Sequence, residues 1–254
     1  MIYDLKEDGI LWVRFNRPRV LNAVNRTFAR ELRQAVEQAE ADPDVKLVIL
    51  TGEGRAFCAG ADLKEAAAGI PPGQEKRSTH DLQTVAQVLR DMRKVAIAAV
   101  NGYALGAGCE ISLDCDLVVA SEEAKFGFPE TGVGATVTGA GTYLLPQGIG
   151  LARAKELIFL GEHVPAAEAQ KLGMVNRVVP ADKLEEEATV LAHQVLEKSP
   201  MAIALAKAAL NVGAESTFSV ALTYERDSSM AAASTGDMVT AGQAFKEKRP
   251  PKFQ

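Results

Sequence analysis

Gly106-Ala107-Gly108 carries no side chain larger than a methyl, and Cys109 and Glu110 follow it. Small residues let another molecule's atoms approach the backbone closely. A helix that opens on Gly-Ala-Gly presents bare N–H groups at its positive end, and these suit an anion. Glu110 stands three residues after Ala107, one turn inside that helix. A carboxylate beside backbone donors points to acid–base chemistry next to a stabilised oxyanion. A second corner of small residues, Phe57-Cys58-Ala59-Gly60-Ala61-Asp62-Leu63, leads into a short helix. Each corner can offer one backbone N–H, from Ala61 and from Ala107. Two such groups converging on one carbonyl oxygen make an oxyanion hole. Either corner alone reads as tight helix–strand packing; together, with Glu110 one turn beyond, they read as a site. Glu130, after Pro129, reads by itself as a solvated loop acid.

The elements that must position these residues are legible in part. Val95–Val100 is a short, wholly apolar run and predicts a buried strand, ended by the turn signal Asn101-Gly102. Cys109 to Asp114 has room for about two helical turns. Upstream, Ile2–Glu7 and Ile10–Phe15 flank Asp8-Gly9, the signal of a two-residue hairpin. Asn25 caps a helix whose Phe28, Leu32, Ala35 and Ala39 recur at helical spacing. Leu47–Thr51 and Leu117–Ala120 read as further strands, and Leu82, Val85, Leu89 and Met92 mark the helix before the central strand. Gly69–Gly73, with two prolines, reads as a mobile loop. After Glu130 the chain is rich in Gly and Thr as far as Gly141. Leu151–Leu160, Ala166–Leu172 and Lys183–Lys198 read as helices, and Val175–Val179 as a strand. Met201–Leu210 is apolar almost all round, which predicts a buried helix, against the core or against another subunit. Strands thus mix with helices to about Pro180, with helices alone beyond, and strand–strand–helix units recur.

A chain of 254 residues, 47% hydrophobic and 24% charged, has ample material for one large core. Its net charge of -5 argues against a general nucleic-acid binder. Three cysteines, Cys58, Cys109 and Cys115, in apolar or Gly-rich contexts suit a reducing compartment without disulfides. No apolar run reaches membrane-spanning length, and the N-terminal sequence is not that of a signal peptide, so the expectation is a soluble, cytoplasmic protein. Other chemistries fit less well. Ile111 breaks a dinucleotide fingerprint, G-x-S-x-G and Walker A sequences are absent, and His80, His163 and His193 lack metal-ligand spacing. Cys109 reads as a small buried residue rather than a nucleophile. Two basic clusters, Arg14, Arg17 and Arg19 and then Lys246, Lys248, Arg249 and Lys252, divide evenly between a solvated rim and a phosphate contact.

A-F-C-A-G-A-D-L at 56–63, A-V-N-G-Y-A-L-G-A-G-C-E at 99–110 and F-G-F-P-E at 126–130 resemble the crotonase, or enoyl-CoA hydratase/isomerase, superfamily. N-R-P-x-x-x-N-A at 16–23 and F-K-E-K-R-P-P-K-F at 245–253 match that family's two ends. The resemblance implies an α/β fold, a spiral of ββα turns with a helical C-terminal region. It implies a core of residues 1–195 with an acyl-CoA site and a region of residues 196–254 that assembles homotrimers or dimers of trimers. It assigns the thioester oxygen to the amides of Ala61 and Ala107. Ala61, Asp62, Leu63 and Lys64 fall on its coenzyme A segment; Arg17 and Lys248, from the two basic clusters, are candidate contacts for the coenzyme's phosphates on the general ground of charge. Glu110 and Glu130 match both carboxylates of a hydratase, one activating water for attack at Cβ and the other protonating Cα. No metal or resident cofactor is implied, since coenzyme A belongs to the substrate, and neither nucleic acid nor membrane is a partner. The alternatives are double-bond isomerisation or another crotonase-family reaction, and a non-catalytic acyl-CoA-binding subunit. The chain departs from the family at Ala107, where glycine is frequent, and at Val137–Leu145, where arginine and glutamine give way to leucine and Tyr143. Gln147 also stands where arginine is common.

Overall fold

The strands at the centre of the fold are unbroken apolar runs because both of their faces are covered. The computed structural model describes residues 1–69 and 77–253, with the backbone alone for Arg77 and Ser78. The strands are β1 (Ile2–Leu5), β2 (Ile10–Phe15), β3 (Leu47–Gly52), β4 (Ala56–Cys58), β5 (Val95–Val100), β6 (Tyr103–Leu105), β7 (Leu117–Ser121), β8 (Lys125–Gly127), β9 (Val164–Pro165) and β10 (Arg177–Val179). The helices are α1 (Arg26–Ala41), α2 (Leu63–Ala67), α3 (Arg77–Asp91), α4 (Ala107–Asp114), α5 (Gly141–Ile149), α6 (Leu151–Leu160), α7 (Ala166–Leu172), α8 (Leu184–Leu196), α9 (Pro200–Glu215), α10 (Phe218–Ser234) and α11 (Asp237–Lys246).

A six-stranded sheet runs β1-β2-β3-β5-β7-β10, and a four-stranded sheet runs β4-β6-β8-β9. Only the outer pairs β1–β2 and β8–β9 are antiparallel. Each of the pairs β3–β4, β5–β6 and β7–β8 gives one strand to each sheet before the chain enters a helix. That recurrence is the spiral of ββα turns. On one face of the larger sheet Val13, Phe15, Val48, Leu50, Ala98 and Val100 pack toward α1 and α3. On the other, Trp12, Ile49, Ile97 and Val119 meet Leu184, Ala188 and Leu191 of α8. The ring of Phe15 meets Phe28 and Phe57 edge-on, both with centroids 5.0 Å apart. Such pairs contribute about 0.5–1.5 kcal/mol each beyond burial. They fix β4 against β2 and α1.

The first helix keeps its expected cap, with Asn25 Oδ1 accepting from Phe28 N at 2.9 Å. The first hairpin differs: the Gly9 N–H donates to the Lys6 carbonyl at 3.0 Å, so the turn spans Lys6–Gly9 rather than two residues. The short strands β6, β8 and β9 and the helix α5 are absent from the sequence reading, being too brief or too rich in glycine to show a period. Residues 70–73 of the proposed mobile loop lie outside the described residues. The expectation that Met201–Leu210 is buried is not met within this chain. Leu210 is 74% exposed, and the residue that α9 buries is Lys207. Its ammonium is held at 2.8 Å by Asp116 and at 2.6 Å by the Leu89 carbonyl, which turns the charged side of α9 inward and its apolar side out. Among the described residues no helix is long and apolar enough to cross a membrane.

Candidate active site

The smaller sheet sets the spacing of the site. Its parallel register pairs Cys58 with Ala104, and Ala61 and Ala107 each lie three residues beyond. It also pairs Leu105 with Gly127, and Glu130 lies three residues beyond Gly127. The two donor corners and one carboxylate therefore leave the same end of three adjacent strands. Gly60, at φ +89, turns the first corner, and a Cβ there would meet the Leu105 carbonyl at 2.9 Å. At Gly108 a Cβ would fall 2.0 Å from the Cys58 carbonyl, so α4 rests directly on β4.

Ala61 forms a parallel bridge with Val24, in which Val24 N donates to the Gly60 carbonyl (2.7 Å) and Asp62 N to the Val24 carbonyl (2.9 Å). That pattern points the N–H of Ala61 away from Val24. Ala107 opens α4, where an N–H has no partner within the helix. Among the described residues neither amide donates a hydrogen bond.

Glu110 and Glu130 have opposite surroundings. Glu110 is 1% exposed. Its Oε1 accepts from the N–H groups of Thr138 (3.0 Å), Gly139 (2.6 Å) and Gly141 (3.2 Å), the last being the first residue of α5. Ala140, at φ 69, makes the left-handed turn that aims these donors inward. Burial pushes the Glu110 carboxyl above its ordinary range, and the three donors oppose it. Glu130 sits on a short 3-10 helix, Pro129–Val133, and both its oxygens are shielded from solvent without a hydrogen-bond partner among the described residues. A methyl at Gly106 would stand 3.0 Å from Glu130 Oε1, so this carboxyl hangs beside the Ala107 corner. Burial pushes it up to about 7, with a further upward push from the Glu110 charge.

The sequence reading missed the donors at Thr138–Gly141; its signal was the run of Gly and Thr there. It also missed Asp114, one turn past Glu110, buried with Oδ1 unpartnered and its carboxyl pushed well up by burial. Beside Ala61 a cleft of about 380 Å³ is lined in part by Arg19, Arg55, Asp62, Leu63 and Lys64. Of these, Arg55 was not foreseen. Asp62 caps α2 by accepting from Lys64 N at 3.2 Å, and its other oxygen takes the Arg17 guanidinium at 2.9 Å. That ion pair holds the Asp62 carboxyl below its ordinary range. Arg14 is bound to Glu185 at 2.7 and 2.9 Å. Lys248 follows α11 on the C-terminal arm and forms no side-chain hydrogen bond or ion pair among the described residues. Ala61, Ala107, Glu110 and Glu130 thus converge, Lys64 and Leu63 border the cleft, and Lys248 lies on a separate part of the chain.

Paired ββα turns ending in two unpaired amides and two carboxyls define the crotonase class of α/β fold. Over residues 5–254 the chain matches the enoyl-CoA hydratase/isomerase family, and it belongs to that family. It is 41% identical over 241 residues to a probable enoyl-CoA hydratase of Mycobacterium tuberculosis, covering 95% of this chain and 93% of that one. A crotonyl-CoA hydratase of Syntrophomonas wolfei is 38% identical over 250 residues, 98% of this chain and 95% of the other. A crystal structure of an enoyl-CoA hydratase from Bacillus anthracis superposes with a TM-score of 0.92 at 37% identity, covering 96% and 95% of the two chains.

Proposed function

We propose that this chain is an enoyl-CoA hydratase, a hydro-lyase that adds water across the 2,3 double bond of an enoyl-CoA thioester. The observation that carries the mechanism is the contrast between the two glutamates. Three backbone donors stabilise the Glu110 anion against the burial that raises its pKa, whereas Glu130 has no hydrogen-bond partner among the described residues and favours its proton. The thioester oxygen accepts from the N–H groups of Ala61 and Ala107. Glu110 orients water and takes a proton from it as the oxygen attacks Cβ. The electron pair of the double bond moves onto the thioester as an enolate, which the two amides hold. Glu130 gives its proton to Cα and the carbonyl re-forms. The cycle leaves Glu110 protonated and Glu130 ionised, and exchange with solvent restores both. Every step uses a group of the protein, so coenzyme A enters as part of the substrate and no resident cofactor is needed.

Arg19, Arg55 and Lys64, which make no ion pair among the described residues, border the cleft and suit the coenzyme's phosphates. In residues 196–254 the exposed apolar side chains Leu210, Phe218, Met230, Met238 and Phe245 support assembly through the C-terminal helices, as a homotrimer or dimer of trimers. Three unpaired, buried cysteines suit a cytoplasmic setting. The test is a panel of enoyl-CoA thioesters, short, long and aromatic, followed by loss of the conjugated absorbance and product analysis. A 3-hydroxyacyl-CoA supports hydration. A shifted alkene would identify an isomerase, and binding without turnover a non-catalytic subunit.

A further inference from the structure

The N-terminal segment between β2 and α1 runs alongside the corner that carries Ala61. Asn22 is fully buried. Its side chain accepts from Arg17 N at 2.8 Å and donates to the carbonyls of Glu53 (3.0 Å) and Ala56 (2.7 Å). Leu21 and Asn22 both hold left-handed backbone, at φ 53 and 55, a conformation that costs energy and persists where surroundings enforce it. The Leu21 carbonyl accepts from Ala59 N at 3.0 Å, and Val24 brackets Ala61 through Gly60 and Asp62. Arg17 spans this junction. One arm of its guanidinium donates to the Ala23 carbonyl and the other to Asp62 Oδ2. A second ion pair, Arg26 to Glu65 at 3.1 Å, joins the start of α1 to α2. Arg19, Arg55 and Lys64, by contrast, border the cleft with no ion pair among the described residues.

We propose that Arg17, supported by Asn22, is a positioning residue that clamps the Gly60–Asp62 corner and so aims the Ala61 N–H, and that it is not a contact for the coenzyme's phosphates. The inference rests on the hydratase reading for its kinetic consequence. A guanidinium reaches a carbonyl and a carboxylate at once through separate N–H groups, and a single ammonium in its place cannot match both directions. Loosening the clamp leaves the cleft's free cations untouched but misaligns one of two oxyanion donors, and small misplacements of that kind cost up to about 100-fold in rate.

The experiment compares Arg17→Met and Arg17→Lys with wild type on an enoyl-CoA and on the pantetheine thioester of the same acyl group, which lacks the nucleotide phosphates. The expected result is a fall in kcat of roughly 10- to 100-fold on both substrates, with KM for the CoA thioester changed less than about threefold and no rescue by lysine. Asp62→Asn should reproduce the loss, and adding it to Arg17→Met should cost little more. It also carries the comparison if Arg17→Met does not fold. A non-reacting conjugated acyl-CoA should absorb at longer wavelength when bound to wild type, because hydrogen bonds polarise its carbonyl, and this shift should shrink in the variants. A raised KM confined to the CoA thioester with kcat intact would make Arg17 a phosphate contact and overturn the proposal. Unchanged kinetics would overturn it too. A wild-type protein that shifted the bound chromophore without hydrating any thioester would instead sink the hydratase reading, and the shift alone would then test the clamp.

Discussion

Replacing Glu130 with glutamine should separate chemistry from fold. The carboxyl has no hydrogen-bond partner among the described residues to lose, and glutamine keeps its shape while removing the proton it gives. With its pKa near 7, about nine-tenths of Glu130 is protonated at pH 6 and about one-tenth at pH 8. Hydration needs the protonated form, so kcat/KM for an enoyl-CoA should fall about tenfold across that window. Dehydration of the 3-hydroxyacyl product passes through the same singly protonated pair of glutamates, and the overall reaction takes up no proton, so its kcat/KM should fall in parallel over the same window. Glu130→Gln should lower kcat by roughly 100- to 10,000-fold and abolish both slopes. Stability gives a second readout. Because the folded pKa is raised, the folded state binds more protons than the unfolded one between about 4.5 and about 7. The native protein is therefore favoured at low pH, and loses that advantage as pH rises through 7. A shift of this size amounts to about 3 kcal/mol unscreened, and roughly 1 to 2 kcal/mol for a half-buried residue. Denaturant titrations of wild type and Glu130→Gln at pH 5 and pH 8 should differ by that amount, with wild type losing more. Hydration rates that stay level from pH 6 to pH 8 in wild type would refute the assignment of Glu130 as proton donor.

At Gly108, alanine would place its Cβ 2.0 Å from the Cys58 carbonyl, so Gly108→Ala should push α4 off β4 and lower both melting temperature and activity; a variant as stable as wild type would contradict the packing described. Lys207→Met should cost about 1–3 kcal/mol in a urea titration, because Asp116 loses its cation and the Leu89 carbonyl loses its donor. Paired charges at Leu210 and Phe245, both exposed apolar positions, should reduce the mass measured by light scattering if the C-terminal helices assemble subunits; an unchanged mass would place the interface elsewhere.

Sequence periodicity reached the elements that bury a stripe or a whole strand. Val95–Val100 and the helices at Leu151–Leu160 and Ala166–Leu172 fall where the apolar runs place them. It could not reach β6, β8 and β9, whose two or three residues contain no period, although β6 and β8 carry the site. The oxyanion corners were legible because backbone donors demand small residues, a compositional mark. Glu130 was not legible from its surroundings in sequence, since only the register of β6 with β8 brings it beside Gly106. Arg17 is the converse case. Its charge suggests a phosphate, and its two partners, Ala23 and Asp62, become visible only once the chain has folded. Likewise α9 is apolar nearly all round, yet one lysine fixes which side faces in, because burying that ammonium requires the carbonyls and carboxylate that lie beneath it.

Each ββα turn delivers one part of the proposed chemistry. The β3–β4 turn ends at Ala61, the β5–β6 turn at Ala107 and Glu110, and the β7–β8 turn at Glu130. Parallel pairing makes the three exits adjacent, since strands of one direction end on one edge. The register then fixes their height, three residues past paired positions for all three. Two glutamates that are chemically identical in the unfolded chain become unlike at that edge. One meets the incoming end of α5 and its approach loop, where converging N–H groups offset part of the cost that burial puts on its charge. The other hangs beside Gly106 with nothing to accept, where a proton is favoured. The division between base and acid is therefore a property of the loops that follow the strands rather than of the residues themselves. Moving the Thr138–Gly141 donors away from Glu110 would erase it while leaving both carboxyls in place.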